Sequence, residues 1–325
     1  MTEILVSVII PCFNAEAYLR ETIESVKRQH LQEIEVIVVD DGSSDRSVSL
    51  IRSEFPEIIL VEIEHCGNPG RVRNRGTQLA KGKFIQYLDA DDVLAPGKLK
   101  TQLQAMKVSE ADIAYGNWHS LTQNTNNIYS PGEIIKREMS ETPEIDLFTD
   151  FWCPPAVYLF RREIVEAVQG WNEKLLVIQD ARFALDCALR GARFIYCPEV
   201  MAYYRIHTGE SVSTCDPKAF VRDCFINAVE IEAWWRSNGG VEENRLKALL
   251  KVYGYVARAS FEKDHPLFEE ARLALERLQP GYIPASPKFL AIASKFLGYR
   301  QAEWLALKYR RTKATLRRLK QNEPS

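Results

Sequence analysis

The chain has 325 residues, long enough for one large domain or for a domain of about 200 residues with an appendage. Hydrophobic residues make up 46% and charged residues 26%, an ordinary globular balance, and a formal net charge of −2 leaves no global excess of cations for holding nucleic acid. Seven scattered cysteines without a C-x-x-C pair argue against a disulfide framework and a zinc site, and fit a reducing, cytoplasmic compartment.

The first residues carry no basic segment ahead of their apolar run, and Ser7 and Pro11 interrupt it, so the run reads as a strand and not as a signal peptide. Residues 6–10 form that strand, and 15–29 follow with Leu19, Ile23 and Val26 at helical spacing. The pattern then repeats: strand 35–39, helix 47–55, strand 58–63, helix 74–80 and strand 84–88. Such alternation predicts an α/β fold with a mainly parallel sheet covered on both faces. Ligands of such sheets bind beyond the carboxyl ends of the strands, where Asp41 and Asp91 both fall. A helix over 96–107 leads into a less regular stretch. It comprises a strand at 112–115, a polar loop at 121–131, a strand at 157–160, helices at 162–168 and 180–190, and a strand at 193–196. From Lys218 onward only helical periodicity remains, broken at Asn238-Gly239-Gly240, at His265-Pro266 and across 280–287. A boundary near 215 therefore separates an α/β domain, 1–215, from a helical region, 216–325. No stretch approaches the ~18 apolar residues of a membrane span.

Four segments carry chemistry. The first strand ends in Pro11-Cys12-Phe13-Asn14, where a dinucleotide fingerprint or P-loop would need glycines. Phe13 there could stack on a nucleobase or sit in the core. The second strand ends in Asp40-Asp41-Gly42-Ser43-Ser44-Asp45. A carboxylate here can accept from the imide N–H of uracil, and Gly42 permits a tight turn; helix capping accounts for Ser43 and Asp45 but not for two adjacent aspartates. The stretch from Gly67 to Gly76 reads as a loop and helix start, and its Arg71, Arg73 and Arg75 suit a diphosphate or the carboxylates of a nucleotide site. The fourth strand ends in Leu88-Asp89-Ala90-Asp91-Asp92. On an extended backbone Asp89 and Asp91 would point to one side, where oxygen ligands suit Mg²⁺ or Mn²⁺ bridged to phosphates; the same run would also serve as an acidic turn before the next helix.

In this order and spacing the four segments resemble the nucleotide-binding half of a non-processive, inverting family 2 glycosyltransferase with a GT-A fold. The resemblance continues in Gly170-Trp171-Asn172-Glu173, in Gln179-Asp180, and in Tyr203-Tyr204-Arg205-Ile206-His207 with Ser211 and Ser213. It implies a nucleotide-binding half, 1–110, and an acceptor-binding half, 111–215. By the same resemblance Pro11 and Phe13 border the base, Asp41 binds uracil, and Arg73 lies near the nucleotide. Asp89 faces the ribose or the metal, Asp91 bridges Mn²⁺ or Mg²⁺ to the diphosphate, His207 joins the metal side, and Asp180 is the general base. His207 also reads as a partly buried structural histidine. One departure stands beside the base: Gln179 replaces the family's usual Glu. Trp152, Cys153, Pro154 and Pro155 line the acceptor site or simply pack.

The implied activity is transfer of one sugar from a nucleoside-diphosphate sugar, a UDP-sugar by this reading, to a glycan or lipid-linked glycan in cell-surface polysaccharide synthesis. The Q-x-x-R-W motif of the processive synthases is absent. A metal-dependent nucleotidyltransferase and an inactive nucleotide-sugar-binding module remain as alternatives. The last residues intersperse Lys308, Arg310, Arg311, Lys313, Arg317, Arg318 and Lys320 with Trp304 and leucines. Such a basic helix suits peripheral contact with the inner face of a membrane, or forms a solvated face.

Overall fold

The computed structural model describes residues 3–123, 128–207 and 216–321. The chain divides into two compact units, Met1–Cys215 and Asp216–Ser325.

In the first unit, strands β1 (Val6–Cys12), β2 (Ile34–Asp40), β3 (Ile59–Glu62) and β4 (Phe84–Tyr87) alternate with helices α1 (Leu19–Lys27), α2 (Ser47–Glu54) and α3 (Pro69–Leu79). They pair in parallel in the order β3-β2-β1-β4. Val6, Val8, Ile9 and Ile10 of β1 are wholly buried, as expected of a central strand covered on both faces. Next come β5 (Val93–Leu94), α4 (Lys98–Ser109), β6 (Ile113–Gln123), β7 (Tyr129–Ile135), α5 (Pro143–Thr149), β8 (Leu159–Arg161), α6 (Arg162–Val168), α7 (Gln179–Leu189) and β9 (Phe194–Ile206). The sheet continues β4-β8-β6-β9-β5, with β7 on β6. Short β8 runs antiparallel to both β4 and β6, so it joins the parallel half to a mixed half.

Three elements differ from their sequence readings. Helix α3 starts at Pro69, five residues ahead of the expected start, because the Asn68 side chain accepts from Arg71 N–H at 3.1 Å and proline suits the first helical position. Arg71, Arg73 and Arg75 therefore lie on a helix. Of the polar stretch predicted as a loop over 121–131, residues 121–123 belong to β6 and 129–131 to β7, paired as Thr122↔Ser130 and Gln123↔Tyr129, with the polarity of exposed sheet; residues 124–127 lie outside the described residues. Strand β9 continues to Ile206 instead of stopping at 196. Pro198 and Glu199 conceal that continuation, since they fall at a bulge where the register against β6 shifts beside Gly116 and Asn117. A Cβ on Gly116 would lie 2.4 Å from the Cys197 carbonyl oxygen, so glycine is what lets the bulge approach. This extension carries Tyr203 to Ile206 to the site end of the sheet.

The second unit contains α8 (Pro217–Ser237), α9 (Glu243–Ser260), α10 (His265–Leu278), α11 (Lys288–Leu297) and α12 (Tyr299–Gln321). Asp216 and Asp264 cap α8 and α10 through hydrogen bonds from Lys218 N–H and Leu267 N–H. Trp235, Leu249, Tyr253, Phe268 and Leu275 form its core. Buried Glu232 accepts from Tyr253 Oη at 2.9 Å and pairs with Arg236 and Arg277, so its charge is compensated. No helix among the described residues is long and apolar enough to cross a membrane.

Candidate active site

The carboxyl ends of β1 and β2 are tied together by short polar side chains. Asn14 N–H donates to Ser43 Oγ at 2.9 Å, Ala15 N–H to Ser47 Oγ at 2.9 Å, and Asn14 Oδ1 accepts from Ser44 N–H at 2.8 Å. Helix α1 consequently starts at Leu19, because residues 13–17 serve this turn. The adjacent aspartates divide the work. Asp40 accepts from Ser43 N–H at 2.9 Å and closes the Gly42 turn. Asp41 is 4% exposed and accepts from Cys66 N–H at 2.8 Å and Gly67 N–H at 3.0 Å, with His65 Nδ1 at 3.1 Å. Asp41, expected to bind uracil, gives each oxygen one backbone N–H of the loop after β3, since burial requires its charge to be met by donors. The ring of His65 stacks on Phe13, with centroids 4.4 Å apart, and both rings are about half exposed. Pro11 is half-buried in β1.

Arg73 connects the two halves of the site. Its guanidinium pairs with Asp89, donates to Gln179 Oε1 at 3.4 Å and lies 4.5 Å over the Trp171 ring. At 5% exposure and paired with Asp89 it is no open cation for a diphosphate. Gln179 also donates to the Leu176 carbonyl at 3.2 Å, a bond that Glu could not make. Next to it Asp180 accepts from Trp152 Nε1–H at 2.6 Å and from its neighbour Ala181 N–H at 2.8 Å. Burial raises the Asp180 carboxyl above the ordinary aspartate value, while the Trp152 hydrogen bond and Arg73 draw it partly back.

The run from Leu88 to Asp92 is a turn and not a continued strand, for Asp92 N–H donates to the Asp89 carbonyl at 3.1 Å. Strand alternation therefore does not align Asp89 with Asp91. Asp89 turns to Arg73, and Asp91 meets His207 Nε2 at 2.6 Å. The expected metal set of Asp89, Asp91 and His207 is thus not drawn into one cluster, and no group of three His, Cys, Asp or Glu poised for a metal occurs among the described residues. Asp91 and His207, an oxygen and an imidazole nitrogen brought together, are the pair that would hold a divalent cation here. Asp92 is fully buried. Its Oδ1 accepts from Arg205 N–H at 2.9 Å, and burial, with Asp91 and Asp89 adding to it, pushes its carboxyl well up.

Arg205 holds this turn, a role its motif did not reveal. Its Nε donates to the Asp91 carbonyl at 2.8 Å and its Nη2 to Glu21 at 2.7 Å. Its guanidinium lies over the rings of both Tyr18 and Tyr129, at 4.7 and 4.3 Å. Ser211 and Ser213 lie outside the described residues.

The model of glycosyl transferase family 2 matches residues 7–169, half of the chain, including Asp41, Arg73 and the aspartate turn. The chain belongs to glycosyl transferase family 2. Asp180, Arg205 and His207 lie beyond the stretch matched to the family. The chain is 33% identical over 128 residues to the glycosyltransferase GlyG of Streptococcus pneumoniae, a match covering 38% of this chain and only 42% of that relative's length. It is 27% identical over 224 residues to WfaP of Escherichia coli, a UDP-Glc:alpha-D-GlcNAc-diphosphoundecaprenol beta-1,3-glucosyltransferase; that match covers 67% of this chain and 83% of WfaP. S. aureus TarS 1–349, solved with UDP-GlcNAc, superposes with a TM-score of 0.68 at 20% identity over 95% of this chain and 92% of that one. The α/β fold of this family 2 member is accordingly the GT-A fold.

His65 had gone unremarked in the sequence. Its one legible signal is position: it follows the third parallel strand, at the edge where ligands of such sheets bind.

Proposed function

We propose that this chain is an inverting glycosyltransferase that moves one sugar from a nucleoside-diphosphate sugar to a hydroxyl of a glycan or lipid-linked glycan. The observation that carries the reading is continuity. Arg73 bonds both Asp89 and Gln179, Gln179 adjoins Asp180 with its partner Trp152, and Asp89 stands two residues from Asp91 with its partner His207. A half-buried carboxylate with a raised pKa suits proton removal from the attacking acceptor hydroxyl. Asp91 and His207 would hold Mn²⁺ or Mg²⁺, which supplies charge neutralisation on the departing diphosphate. Phe13 and His65 offer exposed rings against which the base lies, with Trp152 on the acceptor side. The UDP-glucose donor of WfaP and the UDP-GlcNAc bound to TarS support UDP as the carrier.

The test is a donor screen on the purified chain, reading nucleotide release and product configuration by NMR. UDP release with inversion is expected. Pyrophosphate release would overturn the reading in favour of a nucleotidyltransferase. Mn²⁺-dependent UDP binding without turnover on any donor and acceptor pair would mark an inactive binding module.

A further inference from the structure

Helix α11 is built inside out. Leu290 and Ser294 face the helical unit, whereas Phe289, Ile292, Phe296 and Leu297 are exposed, Phe296 at 82%. Phe289, Ile292 and Phe296 recur at i, i+3 and i+7 and so form one stripe along the helix. Lys288 and Lys295 each precede a stripe residue by one position, so they run along one border of it, and neither has a carboxylate partner among the described residues. On α12 exposed Tyr309 reaches the end of the stripe, its ring 6.0 Å from that of Phe289. The whole stretch 279–302 contains no Asp or Glu.

We infer that this face of α11 docks on an anionic lipid surface, with Phe289, Ile292 and Phe296 entering the headgroup–acyl boundary and Lys288 and Lys295 meeting lipid phosphates. A large apolar stripe bordered by lysine is the composition of an interfacial helix, the stems of the lysines covering apolar surface while their ammonium groups stay at the phosphates. Aromatic Tyr309 suits the boundary itself. Charge complementarity selects lipid over a second copy of this chain: a twofold contact through the stripe would bring like lysine borders together with no acidic residue in the stretch to offset them. This face lies ahead of the terminal basic helix where the contact was expected, and the side chains of Lys313, Arg317, Arg318 and Lys320 on that helix lie outside the described residues. Arg310 is paired with Glu303 at 3.5 Å, and Arg311 is paired with Glu262, so two of the expected lipid-facing cations are already neutralised within the unit.

Co-sedimentation of the full chain with vesicles of phosphatidylcholine, alone or with phosphatidylglycerol, tests the inference without donor or acceptor, so it fails or stands separately from the sugar-transfer reading. Binding to the anionic vesicles is expected. The F289S/I292S/F296S variant should bind about tenfold or more weakly with an unchanged thermal midpoint, because these side chains contribute little to the core. K288Q/K295Q should weaken binding and flatten its salt dependence. R317Q/R318Q should bind as the parent does. Equal binding by the triple-serine variant would overturn the inference. So would loss of binding in R317Q/R318Q alone, or a dimer in light scattering that the triple-serine variant abolishes while the parent ignores vesicles.

Discussion

A general base must be ionised at working pH and still bind a proton well, and in the role proposed for Asp180 its desolvation beside Trp152 would give that balance. Its raised pKa means that the folded state favours the protonated carboxyl, so this contribution to stability is present at acid pH and lost as pH rises through the folded value. At neutral pH the ionised group is therefore a small burden. Asp180→Asn should lower turnover by about 10²–10⁴-fold while UDP affinity holds and the thermal midpoint stays level or rises; a drop in the midpoint would tie the residue to structure. In the parent, kcat should fall on acidification through a value above that of an ordinary aspartate. Gln179→Glu adds a negative charge next to Asp180 and should move that acid limb to higher pH, as a pH–rate profile would record. Arg205→Lys keeps the charge but loses the planar group over Tyr18 and Tyr129 and its fixed bonds to Asp91 and Glu21. Weaker Mn²⁺ activation, by about 10–100-fold in apparent affinity, is expected from a titration of rate against metal.

Among the elements, α3 shows how one helix sets the site. Gly76 packs its backbone on β1 and β2: a Cβ there would sit 2.4 Å from Ile9 Cγ2 and 3.3 Å from Val39 Cγ2, both in the core. Gly76→Ala should cost about 1–3 kcal/mol in denaturant unfolding through overpacking and should depress activity by displacing Arg73 on the same helix. An unchanged midpoint would contradict this packing. The cap that starts α3, Asn68 followed by Pro69, is written in local sequence, but Gly67 and Gly70 on either side give the segment the composition of a loop. The length of β9 was not written locally at all. Its middle holds Pro198 and Glu199, and only pairing with β6 around the bulge makes the segment one strand.

At the scale of the molecule, six cysteines are described and all are free, four of them buried. Reductant should therefore leave the thermal midpoint unchanged in a melting experiment, and a shift would expose a disulfide. The alternation of strands and helices, the helical breaks after Ser237 and before His265, and the four polar strand ends follow from local pattern, because each depends on neighbours within about one turn or strand. The sequence by itself thus determined the α/β class, the family resemblance and the segments that build the site. Tertiary structure alone decided how those side chains are spent. Asp41 serves a loop, Asp89 belongs to Arg73, Asp91 to His207 and Asp180 to Trp152. Partners separated by tens of residues meet only when the sheet closes, and a buried charge takes whichever donor that closure brings within reach.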